Sequence, residues 1–195
     1  MDFVPQRVQS SRQQDSIAEE RVIPADDVWL KATLNVPLRA RAVIALLHAS
    51  SVGRFGVQSR FASEVFGQDG FATLQIDLLT PVEEAASFTS SGPEDQAATL
   101  LTRVLAVVDW LKNQRETSDL AIGLFASTTE TIAALMAAER CSQIAAVVSR
   151  GGCPDLAQGA VGELRAPTLL IVGREEQARA AELAAEFFAR QLTTR

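Results

Sequence analysis

Short apolar runs alternate with segments of helical periodicity, and this alternation constrains the fold more than any other feature of the sequence. The runs occupy residues 42–49, 72–77, 120–125, 144–149 and 168–173. Continuous apolar strands are typical of a parallel sheet that helices cover on both faces. The pattern therefore predicts an open, mostly parallel, doubly wound α/β sheet of about seven strands. Ligands are expected in the loops at the carboxyl ends of the strands.

The segments between these runs add detail to the predicted fold. Residues 21–37 predict an N-terminal β-hairpin that turns at Asp26 and Asp27, with Trp29 as a half-buried anchor. Residues 78–92 are expected to form a long loop. Apolar residues at helical spacing predict four helices, over 58–70, from Pro93 onward, over 128–140 and over 174–192.

Length and composition bound the domain organisation. Of 195 residues, 47% are hydrophobic, which is enough to fill one substantial core. Residues 1–18 are rich in Gln, Ser and Arg and lack periodicity, so we expect a flexible leader there and a single domain over 19–195.

Charge and cysteine content exclude several classes of protein. The net charge is −6, and no cluster of Lys and Arg falls on one predicted element, so nucleic acid is not an expected partner. No run approaches the roughly 18 apolar residues that a membrane span needs, so we expect no membrane association and a cytoplasmic location. Cys141 and Cys153 lack metal-ligand spacing, and we expect neither a metal nor a cofactor.

Several phrases occur in an order that is similar to a known family. They are ALLHASS, LQIDLLTP, IGLFASTTETIAALMAAE, AAVVSRGGCPDLA and RAPTLLIVG, which follow the hairpin within residues 21–174. In these phrases the chain resembles the α/β-hydrolase superfamily, and more narrowly its dienelactone-hydrolase-like branch. The resemblance implies an α/β-hydrolase sheet and kinship to carboxylic ester and lactone hydrolases.

The family places its nucleophile on a strand-to-helix elbow of the form Gly-x-Ser-x-Gly. Aligned without gaps, the chain has Thr128 at the nucleophile position, with Ala126 and Glu130 in place of the glycines; a shift of one residue makes Ser127 the nucleophile. A β-branched residue fits a positive-φ elbow poorly, and a carboxylate there opposes the charge of an oxyanion. The same letters favour a second interpretation, a helix capping box formed by Ser127 and Glu130.

The other members of a hydrolase triad are hard to find. The single histidine of the chain is His48, which with Ala49 stands where the family keeps its oxyanion-side His-Gly. It is expected either to hydrogen-bond local backbone as a structural histidine or, unlike the family, to reach the elbow as a base. For the acid, Glu175 or Glu176 follows TLLIVG, and Glu176 is the better gapless match. The family's next strand and its catalytic His are missing before the last helix, so the resemblance implies a degenerate, C-terminally shortened site.

Beside these degenerate catalytic positions, Thr128, Ser127 and Glu176, five residues are expected to line the pocket: His48, Ala49, Arg60, Arg150 and Cys153. Arg60 and Arg150 either hold a small acyl or anionic ligand, or they cap carbonyls or pair with Asp77 or Asp155. Cys153 is either a reactive thiol near Arg150 or an incidental loop cysteine.

Loss of the last strand leaves TLLIV, residues 168–172, at the edge of the predicted sheet. Bare apolar edges are usually covered, so we expect a second copy of the chain, the leader or a partner strand to pair there. Three functions stay open. They are a catalytically degenerate hydrolase relative acting as a binding or association module, a weak esterase or lactonase with an unconventional site at Ser127 or Thr128, and a plain association module.

Overall fold

A computed structural model describes residues 18–87, 93–128, 130–151, 164–172 and 177–192. Its strands are Glu19–Ala25 (β1), Val28–Asn35 (β2), Val43–His48 (β3), Ala72–Asp77 (β4), Ile122–Ser127 (β5), Ile144–Arg150 (β6) and Thr168–Ile171 (β7). The helices of the described residues are Ser51–Phe55 (α1), Val57–Gln68 (α2), Pro81–Ser87 (α3), Pro93–Asn113 (α4), Glu130–Arg140 (α5) and Gln177–Gln191 (α6).

The strands form one sheet in the order β1-β2-β4-β3-β5-β6-β7. The hairpin β1–β2 is antiparallel and joins β4 in antiparallel fashion, whereas all pairs from β4 to β7 are parallel. The predicted α/β sheet with an N-terminal hairpin is confirmed. Because the parallel strands end together, the segments that follow β3, β4, β5 and β6 meet at one edge of the sheet.

Helices cover the sheet on both faces, as its apolar strands require. On one face, α4 and α5 pack against the hairpin and the central strands. On the other face, α2 and α6 pack against alternate residues of β3 and β6. The ring of Phe66 in α2 meets Phe125 of β5 and Phe188 of α6 edge-on, with centroids 5.5 and 5.8 Å away. These contacts fix the strand ends that carry the candidate site.

Several local predictions were wrong. Trp29 is 67% exposed, because alternation along β2 directs its neighbour Leu30, and not Trp29, toward α4. The expected loop over 78–92 contains α3, and α1 precedes α2 without having been predicted. Except for Ala18, the expected leader lies outside the described residues.

The β7 strand ends the sheet, as expected for TLLIV. Five residues separate β7 from α6 along the chain. In the ranges that the structure describes, no helix combines the length and the apolar character needed to cross a membrane.

Candidate functional site

The turn between β5 and α5 has the backbone shape of a nucleophile elbow. Ser127 is the last residue of β5, Thr128 has φ +42°, and α5 begins at Glu130. The amide of Thr128 donates to the carbonyl of Arg150 at 3.2 Å, which holds the turn against the neighbouring strand end. A β-branched residue at positive φ is a rare and strained arrangement. The structure thus places Thr128, and not Ser127, at the apex of the turn.

Glu130 occupies the space behind this elbow. Its side chain is buried, and Oε1 accepts a hydrogen bond from the amide of Ala49 at 2.6 Å. Burial raises the pKa of Glu130, while hydrogen bonds from the Ala49 amide, from its own amide and from the Ser127 hydroxyl act in the opposite direction. The carboxyl group therefore joins the end of β3 to the start of α5.

The capping box predicted for Ser127 and Glu130 is wrong in its geometry. Ser127 belongs to the strand, and Glu130 is the first residue of the helix instead of the third after a cap. The two side chains do contact each other, but Glu130 also reaches across the sheet edge to Ala49. A local pattern has been replaced by a tertiary contact between residues 81 positions apart.

The Ala49 amide matters because of its position after β3. The resemblance to dienelactone hydrolases implies that the segment after this strand supplies an oxyanion donor. Such a donor stabilises developing negative charge only when it is free and aimed at the reacting oxygen. Here the amide bonds a carboxyl group that, when ionised, adds negative charge at the same place.

His48 faces α2, away from the elbow turn. Its Nε2 lies 2.9 Å from Oγ of Ser59, which donates in turn to Oε1 of Gln75 at 3.0 Å. Since the single hydroxyl hydrogen of Ser59 goes to Gln75, His48 Nε2 carries the hydrogen that Ser59 accepts. Burial, and secondarily the charge of Arg54, lower the pKa of His48 to about 4. The ring is neutral at pH 7 and engaged in a structural chain of hydrogen bonds.

A buried ion pair that the sequence reasoning missed lies beside His48. Arg54 of α1 donates from Nε to Oδ2 of Asp77 at 2.8 Å, and from a terminal nitrogen to Thr33 at 2.7 Å and to Glu20 at 3.1 Å. Burial raises the pKa of Asp77, and the charge of Arg54 opposes that rise. The signal for Asp77 was its place directly at the end of a buried strand; nothing in the sequence pattern marked Arg54.

The other predicted pocket residues are only partly assembled. Arg150 donates to Oε1 of Gln58 at 2.7 Å and does not pair with Asp77, whose partner is Arg54. Arg60 is exposed on α2. Cys153 and Glu176 lie outside the described residues. The edge therefore brings together His48, Ala49, Thr128 and Arg150.

The fold and the elbow define a class, the α/β hydrolases, and comparison with known proteins narrows it. The dienelactone hydrolase from Anabaena variabilis, known from a crystal structure, is 30% identical in sequence to this chain. The two structures superpose with a TM-score of 0.81, and the match covers 91% of this chain and 99% of that chain. The chain belongs to the α/β-hydrolase superfamily, in its dienelactone-hydrolase-like branch. A cold-adapted esterase from an Arctic intertidal metagenomic library, 10% identical with a TM-score of 0.65 over 93% of this chain and 96% of that chain, shares the fold.

The relatives found by sequence comparison are named for a different activity from that of the structural relatives. Proteins from two strains of Mycobacterium tuberculosis, each named "Putative phosphoribosyl transferase", are 40% identical over 160 residues, which is 82% of this chain. The chain spans 35% of the length of these relatives. No protein-family model matches the sequence.

Proposed function

We propose that this protein is a dienelactone-hydrolase relative that does not hydrolyse esters and acts as a binding or association module. The observation that carries the proposal is the 2.6 Å hydrogen bond between the Ala49 amide and the buried carboxyl group of Glu130. It consumes a donor where an ester hydrolase would bind an oxyanion, and a hydrolase that loses one such donor loses about 10²–10³-fold in rate.

The position of the single histidine supports the same proposal. A serine or threonine hydroxyl is a weak nucleophile until a neighbouring base takes its proton. The chain has one histidine, and the ring of His48 bonds Ser59 instead of Thr128. In this position burial lowers the pKa of His48 to about 4, so the neutral ring is a weak base.

The longer relatives favour a role in association. This chain aligns with 35% of proteins named for phosphoribosyl transfer, and the aligned module is similar to a dienelactone hydrolase. We infer that the hydrolase-fold module accompanies a transferase part in those proteins and that this chain has the same accompanying role. Transfer of a phosphoribosyl group is not proposed for the module itself.

One observation favours a second candidate, a weak esterase or lactonase. Thr128 keeps the positive φ of an elbow and is exposed, so its hydroxyl remains accessible at the sheet edge. Residual hydrolysis through such a hydroxyl would need no histidine if the substrate carried a good leaving group.

Hydrolysis of p-nitrophenyl acetate separates the two candidates. We expect the wild type to equal Thr128→Ala and Ser127→Ala in rate, because neither hydroxyl is activated. The control is Thr102→Ala, which removes an exposed hydroxyl from α4 far along the chain from the elbow. A wild-type rate at least about tenfold above that of Thr128→Ala, with Thr102→Ala unchanged, would favour the esterase.

A further inference from the structure

We propose that two copies of this chain join through β7, with the two strands antiparallel about a twofold axis at Leu170. The proposal concerns the edge of the sheet and holds whether or not the protein hydrolyses esters. It rests on the direction of the main-chain groups of β7, on the contrast between the two edges, and on the register that a twofold imposes.

The inner side of β7 is fixed by its bonds to β6. The amide of Val147 donates to the carbonyl of Pro167 at 3.0 Å, and that of Gly151 donates to Ile171 at 2.9 Å. Main-chain groups alternate in direction along a strand, so those of Thr168, Leu170 and Val172 point away from β6. Within the described residues, no strand pairs with that outer side.

The two edges of the sheet differ in how they are protected. The β1 edge carries Pro24 and the charged residues Glu19, Glu20 and Arg21, and such residues discourage strand pairing. The β7 edge has neither charge nor proline between its first and last residue. Two apolar side chains at this edge are also exposed, Leu170 of β7 at 41% and Val172 directly after it at 61%. Only β7 has the character of a pairing edge.

A second copy fits this edge because the outward main-chain N–H and C=O groups of β7 can pair with the same groups of another copy. A twofold at Leu170 pairs Leu170 with its own copy and Thr168 with Val172, which exchanges about six main-chain hydrogen bonds. In this register Leu170 lies opposite its own copy and Val172 lies opposite Thr168, so exposed apolar side chains on one face of the sheet pack across the new strand pair. The two outer edges of the joined sheet are then both β1, so the assembly closes at two copies.

Sedimentation velocity on the full chain tests the proposal, with the wild type expected at twice the 20.9 kDa chain mass. Leu170→Pro deletes an outward amide without touching the ladder to β6, and Leu170→Lys puts a charge at the centre of the interface. Each is expected to weaken dimerisation about tenfold or more. The control, Leu38→Lys, alters another exposed leucine in the turn after β2 and is expected to dimerise like the wild type.

Hydrogen exchange gives a measurement that does not depend on the variants folding. The wild-type amides of Leu170 and Val172 are expected to exchange more slowly as the chain concentration rises. A wild type that stays monomeric at about 100 µM overturns the proposal, since specific dimers associate well below that concentration. So does a dimer in which these amides exchange fast, or one that folded Leu170 variants leave intact.

Discussion

Thr128 occupies the strained position of the elbow turn, with φ +42°. A non-glycine residue at positive φ costs on the order of 1–3 kcal/mol and persists only where its surroundings hold it. Here the surroundings are the Arg150 carbonyl, which accepts the Thr128 amide, and Glu130, which anchors the start of α5 to Ala49. The shape of the turn therefore follows from the sheet and the helix that it joins.

Replacing this threonine by glycine tests the strain. Glycine adopts positive φ freely, so Thr128→Gly is expected to raise the free energy of unfolding by about 1 kcal/mol in urea titrations. Thr102→Gly, in the exposed middle of α4, is the control and is expected to lower it by about 1 kcal/mol. If both variants lose stability equally, the turn is not strained.

His48 offers a clean pH measurement because it is the only histidine. The pKa of His48 in the folded protein is about 4, below the ordinary value of 6.5. Between these two pH values the ring stays neutral in the native protein, whereas in the unfolded chain it takes up a proton. Burial of neutral His48 therefore lowers the free energy of unfolding as the pH falls from about 6.5 to about 4, by at most about 3 kcal/mol.

The imidazole proton resonance is expected to show no titration between pH 8 and pH 5. His48→Gln is expected to flatten the pH dependence of the unfolding free energy over the same range, because Gln carries no titrating group. A midpoint near 6.5 in the NMR titration would show that the ring is solvated and free to act at the elbow.

The pattern Ser/Thr-x-x-Glu occurs after β4, at Thr80, and at the end of β5, at Ser127, and it forms different contacts in the two places. At Thr80 it forms a capping box: the Thr80 hydroxyl accepts the Glu83 amide at 3.3 Å, and Glu83 accepts the Thr80 amide at 2.8 Å. At Ser127 it does not, because β5 continues through Ser127 and Glu130 bonds Ala49. The sequence pattern is the same in both places, and the hydrogen bond from Ala49 to Glu130 decides that only Thr80 forms a capping box.

The close packing of α6 on β5 depends on Gly123. A methyl group added there would lie 2.7 Å from Cε1 of Phe188 and 2.9 Å from Cδ1 of Leu192. Gly123→Ala is therefore expected to lower the free energy of unfolding by about 1–3 kcal/mol, measured in urea.

The matched control is Gly67→Ala on α2, where an added methyl group meets nothing within 4 Å. It is expected to raise the free energy of unfolding by up to about 1 kcal/mol, because Ala favours the helix. Equal effects of the two substitutions would show that α6 adjusts its position and that the fit around Gly123 is loose.

The elements that sequence could predict are those with an unambiguous local pattern. The apolar run at 72–77 gave β4 at its observed bounds, and Pro93 marked the first residue of α4. The short helix α3 was missed although Thr80, Pro81 and Glu83 are a helix-start signal, because the stretch is too short for apolar periodicity to show. Local reasoning about the elbow failed at Glu130, since its decisive partner, Ala49, lies 81 residues away.

In the molecule as a whole, the sheet and the elbow of an α/β hydrolase are kept. The fold matches that of the dienelactone hydrolase, and three of the described groups near the strand ends have other partners: Glu130 bonds Ala49, His48 bonds Ser59 and Arg150 bonds Gln58. The buried pair of Arg54 and Asp77 ties α1 to the same strand ends. These hydrogen bonds tie helices α1, α2 and α5 to the strand ends.

Intact-mass spectrometry after exposure to a fluorophosphonate tests the central claim most directly, because the probe adds only to an activated hydroxyl. We expect the wild type to keep its unmodified mass while an active dienelactone hydrolase in the same tube gains one phosphonyl group. A wild-type adduct that Thr128→Ala abolishes and Ser127→Ala leaves in place would contradict the claim that this elbow is inert.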